Sequence, residues 1–518
     1  MLAGRSVPSS SVSDDLFARL RAATAALEEI IADRSLLQSL PLEERTRLLS
    51  AAGDVYEPDV AKRRKQIKAE RREVKQQKAQ QDQGTLNETG IRSLRAKPVF
   101  TTPNVFAPQL EGPDEIDDDS DVREAVQPLH CYICKRKYTQ IHPFYDQMCT
   151  ECGDFNFAKR SENADLTGRV ALLTGGRVKI GYQAGIKLLR AGAHLIVTTR
   201  FPRDSAVRYA QEADFEEWGH RLEIFGLDLR HTPSVEAFCH HLMETRDRLD
   251  FIVNNACQTV RRPPDFYRHM MELEAGPLAT LPVEAARLLG AYEGLRGYDM
   301  LSSGRADESV PAVLPVGVTH AAQLSQAALL PEDLAGRSDL FPEGRLDQDL
   351  QQVDLRDRNS WRLLMDEVPS VELLEVQLVN AIAPFIINAR LKPLLQRSPE
   401  RDKHIVNVSA MQGQFYRHNK TTRHPHTNMA KAALNMMTRT SAADYQQDGI
   451  HMNSVDTGWV TDEDVAELAA RKVANHRFHP PLDIVDGAAR IVDPIMHGLN
   501  TGEHVWGQFL KDYQPTDW

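Results

Sequence analysis

RVALLTGGRVKIG, residues 169–181, carries a short apolar run into a glycine-rich turn and then into a helical pattern. Glycine removes the Cβ atoms that would hold a backbone away from a pyrophosphate. The helix that follows turns free N–H groups and its positive end toward the phosphates. Thr174, Gly175, Arg177, Lys179, Ile180 and Gly181 are therefore the first candidate nucleotide-binding residues. The turn alone is a common pattern, and its surroundings add specificity. A second apolar run, HLIVTT at 194–199, ends about 20 residues on, as a dinucleotide-binding βαβ unit requires.

Outward from this stretch the same alternation repeats. LEIF (222–225) and DFIVNN (250–255) are separated by helical patterns. Farther on come a helix near 370–398, KHIVNVS (403–409), a helix near 428–445 and HMNSV (451–455). Strands alternating with helices predict an α/β fold, a doubly wound parallel sheet with helices on both faces and ligands at its C-terminal edge. The break at 261–369 is too long for an ordinary connection and reads as an insertion folded partly over that edge. The domain as a whole is placed at 165–515.

Upstream lie four other textures. Residues 1–57 read as a helical segment. Residues 58–82 form a charged basic helix or arm around Lys62, Arg63, Arg64 and Lys65, either a solvated face or a phosphate-contacting arm. Residues 83–127, rich in Pro, Thr and Asn and ending in the acidic run DEIDDDSD, read as a linker. Residues 128–160 contain Cys131-x2-Cys134-x14-Cys149-x2-Cys152. Two such knuckles can present four thiolates to one tetrahedral ion, which reads as a zinc ribbon holding a structural Zn2+. Four thiolates close the coordination shell, so a catalytic zinc is not expected. Free or redox-active thiols are the alternative.

The chain has 518 residues, 42% hydrophobic and 26% charged, with a formal net charge of −11. That supports a large core over two to four domains and excludes collagen-like or wholly disordered classes. The negative balance argues against a whole-protein grip on nucleic acid and leaves only a local patch. No apolar run approaches the roughly 18 residues of a membrane helix, and MLAGRSVPSSSVSDD lacks a secretory pattern. A cytoplasmic protein without membrane attachment is expected.

Several ordered motifs resemble the short-chain dehydrogenase/reductase family over about 165–465, insertion excluded. TGGRVKIG is similar to its TGxxxGxG loop, and Asp228 in GLDLR to its adenine-contacting aspartate, with Leu229 beside it. Asn254-Asn255-Ala256 resembles NNAG, and Asn380 in LVNAIAPF resembles the helix asparagine. HIVNVSAMQG resembles the serine strand, AKAALNMMTRTSA the lysine helix, and NSVDTGWV the NxVxPG segment. The resemblance implies a Rossmann-like sheet. It also implies a nicotinamide cofactor held by Asn254, Ala256 and Lys431 besides the glycine turn. NAD-using members tend to carry an acid at the place of Thr199; here Arg200 follows instead and favours NADP(H) over NAD(H). Lys179 stands where the family usually has its middle glycine, and could ligate phosphate or crowd it.

By the same resemblance, hydride transfer between nicotinamide and a carbonyl or alcohol needs Tyr-x-x-x-Lys on one helix face and a nearby serine. Lys431 is present, but Thr427 stands four residues earlier. Counting back from Gly413, the serine place holds Ala410. Ser409 comes one residue early, on the opposite strand face. Substitutes are available in Tyr416, His418, His424 and His426, with His426 and Tyr416 the first choices to reach the nicotinamide side. Two functions stay open. One is an NADP(H)-dependent oxidoreductase acting on a small-molecule substrate with an atypical proton donor. The other is a catalytically inactive dehydrogenase fold, a pseudoenzyme, acting as a nucleotide-responsive binding or scaffold protein. The ribbon and basic arm would then meet a protein or nucleic-acid partner. A homo-oligomer is implied by resemblance only.

Overall fold

The computed structural model describes residues 11–56, 60–103, 123–295, 320–334, 336, 338–416, 420–476 and 479–518. It divides into two units, Met1–Gln81 and Asp82–Trp518. The first is helical, with Ser11–Ala32, Leu42–Tyr56 and the start of Val60–Asn87. Leu16, Phe17, Leu20 and Ile31 along its first helix are exposed. Lys65 is exposed, while the side chains of Lys62, Arg63 and Arg64 lie outside the described residues.

Among the described residues the second unit holds ten strands: β1 (Glu124–His130), β2 (Lys137–Gln140), β3 (Val170–Thr174), β4 (His194–Thr199), β5 (Leu222–Gly226), β6 (Phe251–Asn254), β7 (Lys403–Ser409), β8 (Ile450–Asp456), β9 (Phe509–Lys511) and β10 (Gln514–Thr516). The first two pair as an antiparallel ribbon. The other eight form one sheet in the order β10-β9-β8-β7-β6-β3-β4-β5. Every pair from β5 to β9 is parallel; only β9 and β10 close the edge as an antiparallel hairpin. β7 and β8 are buried along their whole length, as strands covered by helices on both faces must be. Chain order reverses between β3 and β6, the switch point at which such sheets open a crevice.

Two expectations need correction. The segment read as a linker, 83–127, is largely structured where it is described. The helix Val60–Asn87 runs into it, Gly90–Ala96 forms another turn of helix, and β1 begins at Glu124. The reason is apolar burial: Ile91 is fully buried, and its N–H bonds to Phe144 O at 2.9 Å, while Leu86 packs with Ala125 and Ile141. The acidic run falls outside the described residues. The second correction concerns apolar length. The helical run Ser370–Arg397 is long and apolar enough to cross a membrane by length and composition. In the fold it is a core helix, burying Glu372, Glu375, Asn380 and Asn388 beside Ile387 and Leu391.

The insertion is only partly helical. Its described elements include Pro264–Ala275, Val283–Arg287, Gly290–Leu295 and Ala321–Leu324. Phe266, Tyr267, Met270 and Phe341 pack on Phe201, just beyond β4, so the insertion is anchored beside the C-terminal edge of the sheet.

Candidate functional site

At the C-terminal edge of the sheet lies a cleft of about 1050 Å³. Its floor is the switch point. Gly175 has φ +71°, and a Cβ there would meet Ala256 Cα at 2.8 Å. At Gly181 a Cβ would meet Gly175 O at 2.2 Å and Asn255 Nδ2 at 2.3 Å. The glycines are thus demanded by backbone crossing backbone, before any ligand arrives. Asn255 Nδ2 donates to Thr174 O and Gly175 O, and Ala256 N–H donates to Thr174 Oγ1, all at 3.1 Å.

Gly175, Arg177, Lys179, Ile180, Gly181, Arg200, Asp228, Leu229, Ala256 and Lys431 all line the cleft. Thr174 and Asn254 do not; they brace its walls. Asn254 is buried and donates to Asn388 Oδ1 and Asn407 Oδ1, both at 2.9 Å, and its neighbour Asn255 faces the cleft instead. The alternation of side chains along a strand end accounts for the exchange.

Two arginines near the turn differ in what holds them. Arg177 is bonded to Asp204 at 2.7 Å, so its charge is matched. The described partner of Arg200 is a phenol: Nη2 donates to Tyr267 OH at 2.7 Å, with the guanidinium 4.8 Å from that ring's centroid. Lys179 takes a left-handed backbone, φ +55°, which explains why glycine is usual at such a place. Its Nζ lies 4.0 Å from Asp349 Oδ2 in the insertion. Burial raises the Glu463 carboxyl, but the Lys179 charge and a hydrogen bond from Thr461 hold it below its ordinary range. The lysine therefore already has acids around it. Asp228 is gripped by Arg230 through both oxygens, at 2.6 and 3.0 Å. Burial would raise this carboxyl, yet Arg230, and after it the charge of Arg200, keep it lowered.

The other end of the cleft is built on the helix Pro425–Gln447. Lys431 is buried and donates to Val408 O at 2.7 Å. Asn428, one turn before it on the same face, also lines the cleft, as does His424, which stands just ahead of the helix with a left-handed backbone, φ +44°. His424 lies flat on Trp361 of the insertion, with ring centroids 3.9 Å apart and planes within 7°. Its N–H bonds to Leu363 O at 2.8 Å. The expectation for His426 and Tyr416 is corrected here. His426 is buried away from the cleft, with Nε2 3.5 Å from Glu372 Oε1. Tyr416 is 87% exposed and not among the lining residues. His418 lies outside the described residues. Asn428 was missed, and His424 was named but placed behind His426 and Tyr416, because the helix face depends on Pro425 starting the helix, which fixes the phase.

Thr427, at the tyrosine place, is buried, with Oγ1 lacking a hydrogen-bond partner, and does not line the cleft. Ser409 and Ala410 both do, and Ser409 Oγ likewise lacks a partner. Asn380 sits on a five-residue π turn, Leu378–Ile382, and trades hydrogen bonds with the Gln258 backbone at 2.7 and 3.0 Å. It reaches the cleft only through Gln258. Asp456, directly opposite Ser409 in register, lines the cleft too, and burial raises its carboxyl.

The four cysteine sulfurs Cys131, Cys134, Cys149 and Cys152 lie within 4.8 Å of one another. Cys134 and Cys149 are 3.8 Å apart, matching the separation of about 3.8 Å that tetrahedral bonds of about 2.3 Å would give. The cluster can hold a metal ion.

Residues 169–271 match the short chain dehydrogenase family, and residues 362–481 match the Enoyl-(Acyl carrier protein) reductase family. Uncharacterized protein R665 of Acanthamoeba polyphaga mimivirus is 30% identical over 400 residues, covering 75% of each chain. A fatty acyl-CoA reductase of Acinetobacter baylyi is 30% identical over 98 residues, 19% of this chain and 32% of that one. Human retinol dehydrogenase 13 is 28% identical over 93 residues, 18% and 28% of the two chains. A solved short chain dehydrogenase of Burkholderia cenocepacia in complex with NADP shares 17% identity at TM-score 0.40, over 67% of this chain and 96% of that one.

Proposed function

The chain belongs to the short-chain dehydrogenase/reductase family of oxidoreductases, and from that premise we propose that it is an NADP(H)-dependent enzyme whose proton donor is not a tyrosine. The observation that carries this reading is a single cleft lined at one end by the glycine turn and Arg200 and at the other by Lys431 and His424. NADP(H), when bound, supplies or accepts the hydride for a carbonyl or alcohol. The turn packed tightly through Gly175, Gly181 and Ala256 would turn its backbone toward the pyrophosphate. Arg200, hydrogen-bonded to a neutral phenol and close enough to the Arg230-paired Asp228 to lower its carboxyl, would turn its cationic fork to a 2′-phosphate, which needs a bidentate donor. At the reacting end we assign the proton to His424, the titratable ring that lines the cleft just ahead of the Lys431 helix. The flat stack on Trp361 fixes its plane, and Lys431 lines the same cleft farther along the helix. The insertion, which brings Trp361, would exclude water over a small-molecule substrate.

A second reading is favoured by a specific observation. Thr427 replaces the tyrosine and is buried off the cleft, and Ala410 replaces the serine. On that reading the cleft binds nucleotide without turnover and the protein acts as a nucleotide-responsive partner. Calorimetric titration with NADPH and NADH in parallel, followed by a substrate screen, separates the two. NADPH binding with turnover supports the enzyme; NADPH binding without turnover supports the alternative; binding of neither overturns both. For the cysteine cluster we infer a structural Zn2+, supported by the sulfur spacing and by a closed set of four thiolates.

A further inference from the structure

Tyr132 and Lys135 stand inside and just after the first cysteine knuckle, yet both line the cleft. The Tyr132 hydroxyl accepts the Trp459 N–H at 3.1 Å. Trp459 belongs to the turn that leaves β8, where Gly458 has φ +75° and a Cβ would meet Leu482 Cδ1 at 2.4 Å. That turn has little freedom except through its partners.

The apolar core of the cysteine module reaches the same place. Cys131, Phe144, Tyr145 and Met148 share one cluster with Val460, Leu482 and Ile484. Ile180 of the glycine-rich turn packs against it. Both loops that frame the cleft, the glycine turn and the turn after β8, therefore rest on the module. The Tyr132 ring is itself clamped, with Lys135 Nζ 4.9 Å and Lys511 Nζ 5.5 Å from its centroid. Its backbone is set by the knuckle: Tyr132 N–H bonds to Gln147 O at 2.8 Å, and Cys131 N–H to Arg136 O at 2.9 Å. A segment this small keeps such a shape when metal closes it.

We propose that the four-cysteine module is a wall of the nucleotide cleft, and that Tyr132 is a positioning residue through which metal occupancy sets the 457–461 turn and hence nucleotide affinity. This rests on the nucleotide reading above. Sequence gives no hint of it, because Tyr132 and Trp459 are 327 residues apart.

The test uses the full, zinc-loaded chain and the Tyr132→Phe variant, which keeps the ring and removes the acceptor. Hydrogen exchange is followed across 457–461 and across β8 in nucleotide-free protein, and NADPH affinity is measured separately. Cobalt substitution reports whether the thiolate site is intact. The expected result is about fivefold faster exchange at 457–461 and about fivefold weaker NADPH binding, the worth of one ordinary hydrogen bond. β8 exchange and the cobalt–thiolate band stay as in the parent. Removing metal with a chelator, with the freed thiols counted, should loosen the same turn before the sheet. Parental exchange at 457–461 in Tyr132→Phe, or protection unchanged once the thiols are free, overturns the proposal. If the parent binds no NADPH while Tyr132→Phe exchanges faster, the nucleotide reading fails and the coupling stands.

Discussion

The two ends of the cleft are built on different principles. At the end proposed to take the nucleotide the critical features are backbone: glycines where chains cross, a strand register and a helix start. At the end proposed to carry the reaction they are individual side chains held by neighbours, such as His424 on Trp361 and Lys431 on Val408 O. The first end keeps its family pattern almost whole. The second has lost the tyrosine and the serine while keeping lysine and asparagine. Backbone requirements tolerate little substitution, since a misplaced Cβ has nowhere to go. Side-chain roles can pass to another residue on the same face.

The strongest blow to this contrast falls on the floor. Gly181→Val places a branched side chain against Gly175 O and Asn255. Overpacking there costs about 1–3 kcal/mol, so NADPH affinity should drop by up to about 100-fold in calorimetry. At the other end, His424→Asn should lower kcat by at least about 100-fold, the usual worth of a general acid. His426→Asn, on the buried side of the same helix, should leave kcat within about twofold if folding is intact. Equal losses in the two variants would remove His424 from its role. Arg200→Ala sharpens the nucleotide end: NADPH affinity should fall by roughly 10–100-fold with NADH affinity unchanged, as expected for a lost charge-assisted contact. A parallel fall for both cofactors would show that Arg200 shapes the loop rather than reads the phosphate.

The smallest effect lies at the opposite edge of the sheet. His404 is fully buried, with Nε2 3.0 Å from His504 Nδ1, and His451 stacks on His504. Burial, followed by the charges of the neighbouring imidazoles, holds His404 well below its ordinary range; burial lowers His451 and His504 too. These rings are neutral when folded and take up protons more readily when unfolded. Their contribution is present above about pH 6.5 and declines as pH falls below it. The midpoint of thermal unfolding should therefore drop between pH 7 and pH 5. His404→Leu should flatten that slope.

How much of this was legible in the sequence follows from the same contrast. The parallel sheet, the switch point and the glycine turn could be read because glycine spacing and apolar strand runs have a local cause. His424 could not be singled out. Its place depends on where Pro425 starts the helix and on Trp361, which comes from the insertion. Arg200 was found from its neighbours in the chain, but its phenol partner, Tyr267, comes from the same insertion. Helical structure at 83–96 was hidden because Gly, Thr and Asn signal loops, while the burial of Ile91 is decided by Phe144, distant in sequence.

The seam between the cysteine module and the helix Ile484–Thr501 has a consequence for modularity. Arg160 bonds both oxygens of Asp483, at 2.7 and 2.9 Å, and Tyr145 OH bonds Asp486 at 2.6 Å. Asn156 accepts from Arg490 at 2.6 Å. All these groups are buried. Cutting the chain at 165 to liberate the sheet would take the partners from Asp483, Asp486 and Arg490 and open the apolar seam of Val460, Leu482 and Ile484 to water. The module cannot be transplanted or trimmed like a bead on a string; a surgeon of this protein would have to redesign the wound as well as make the cut.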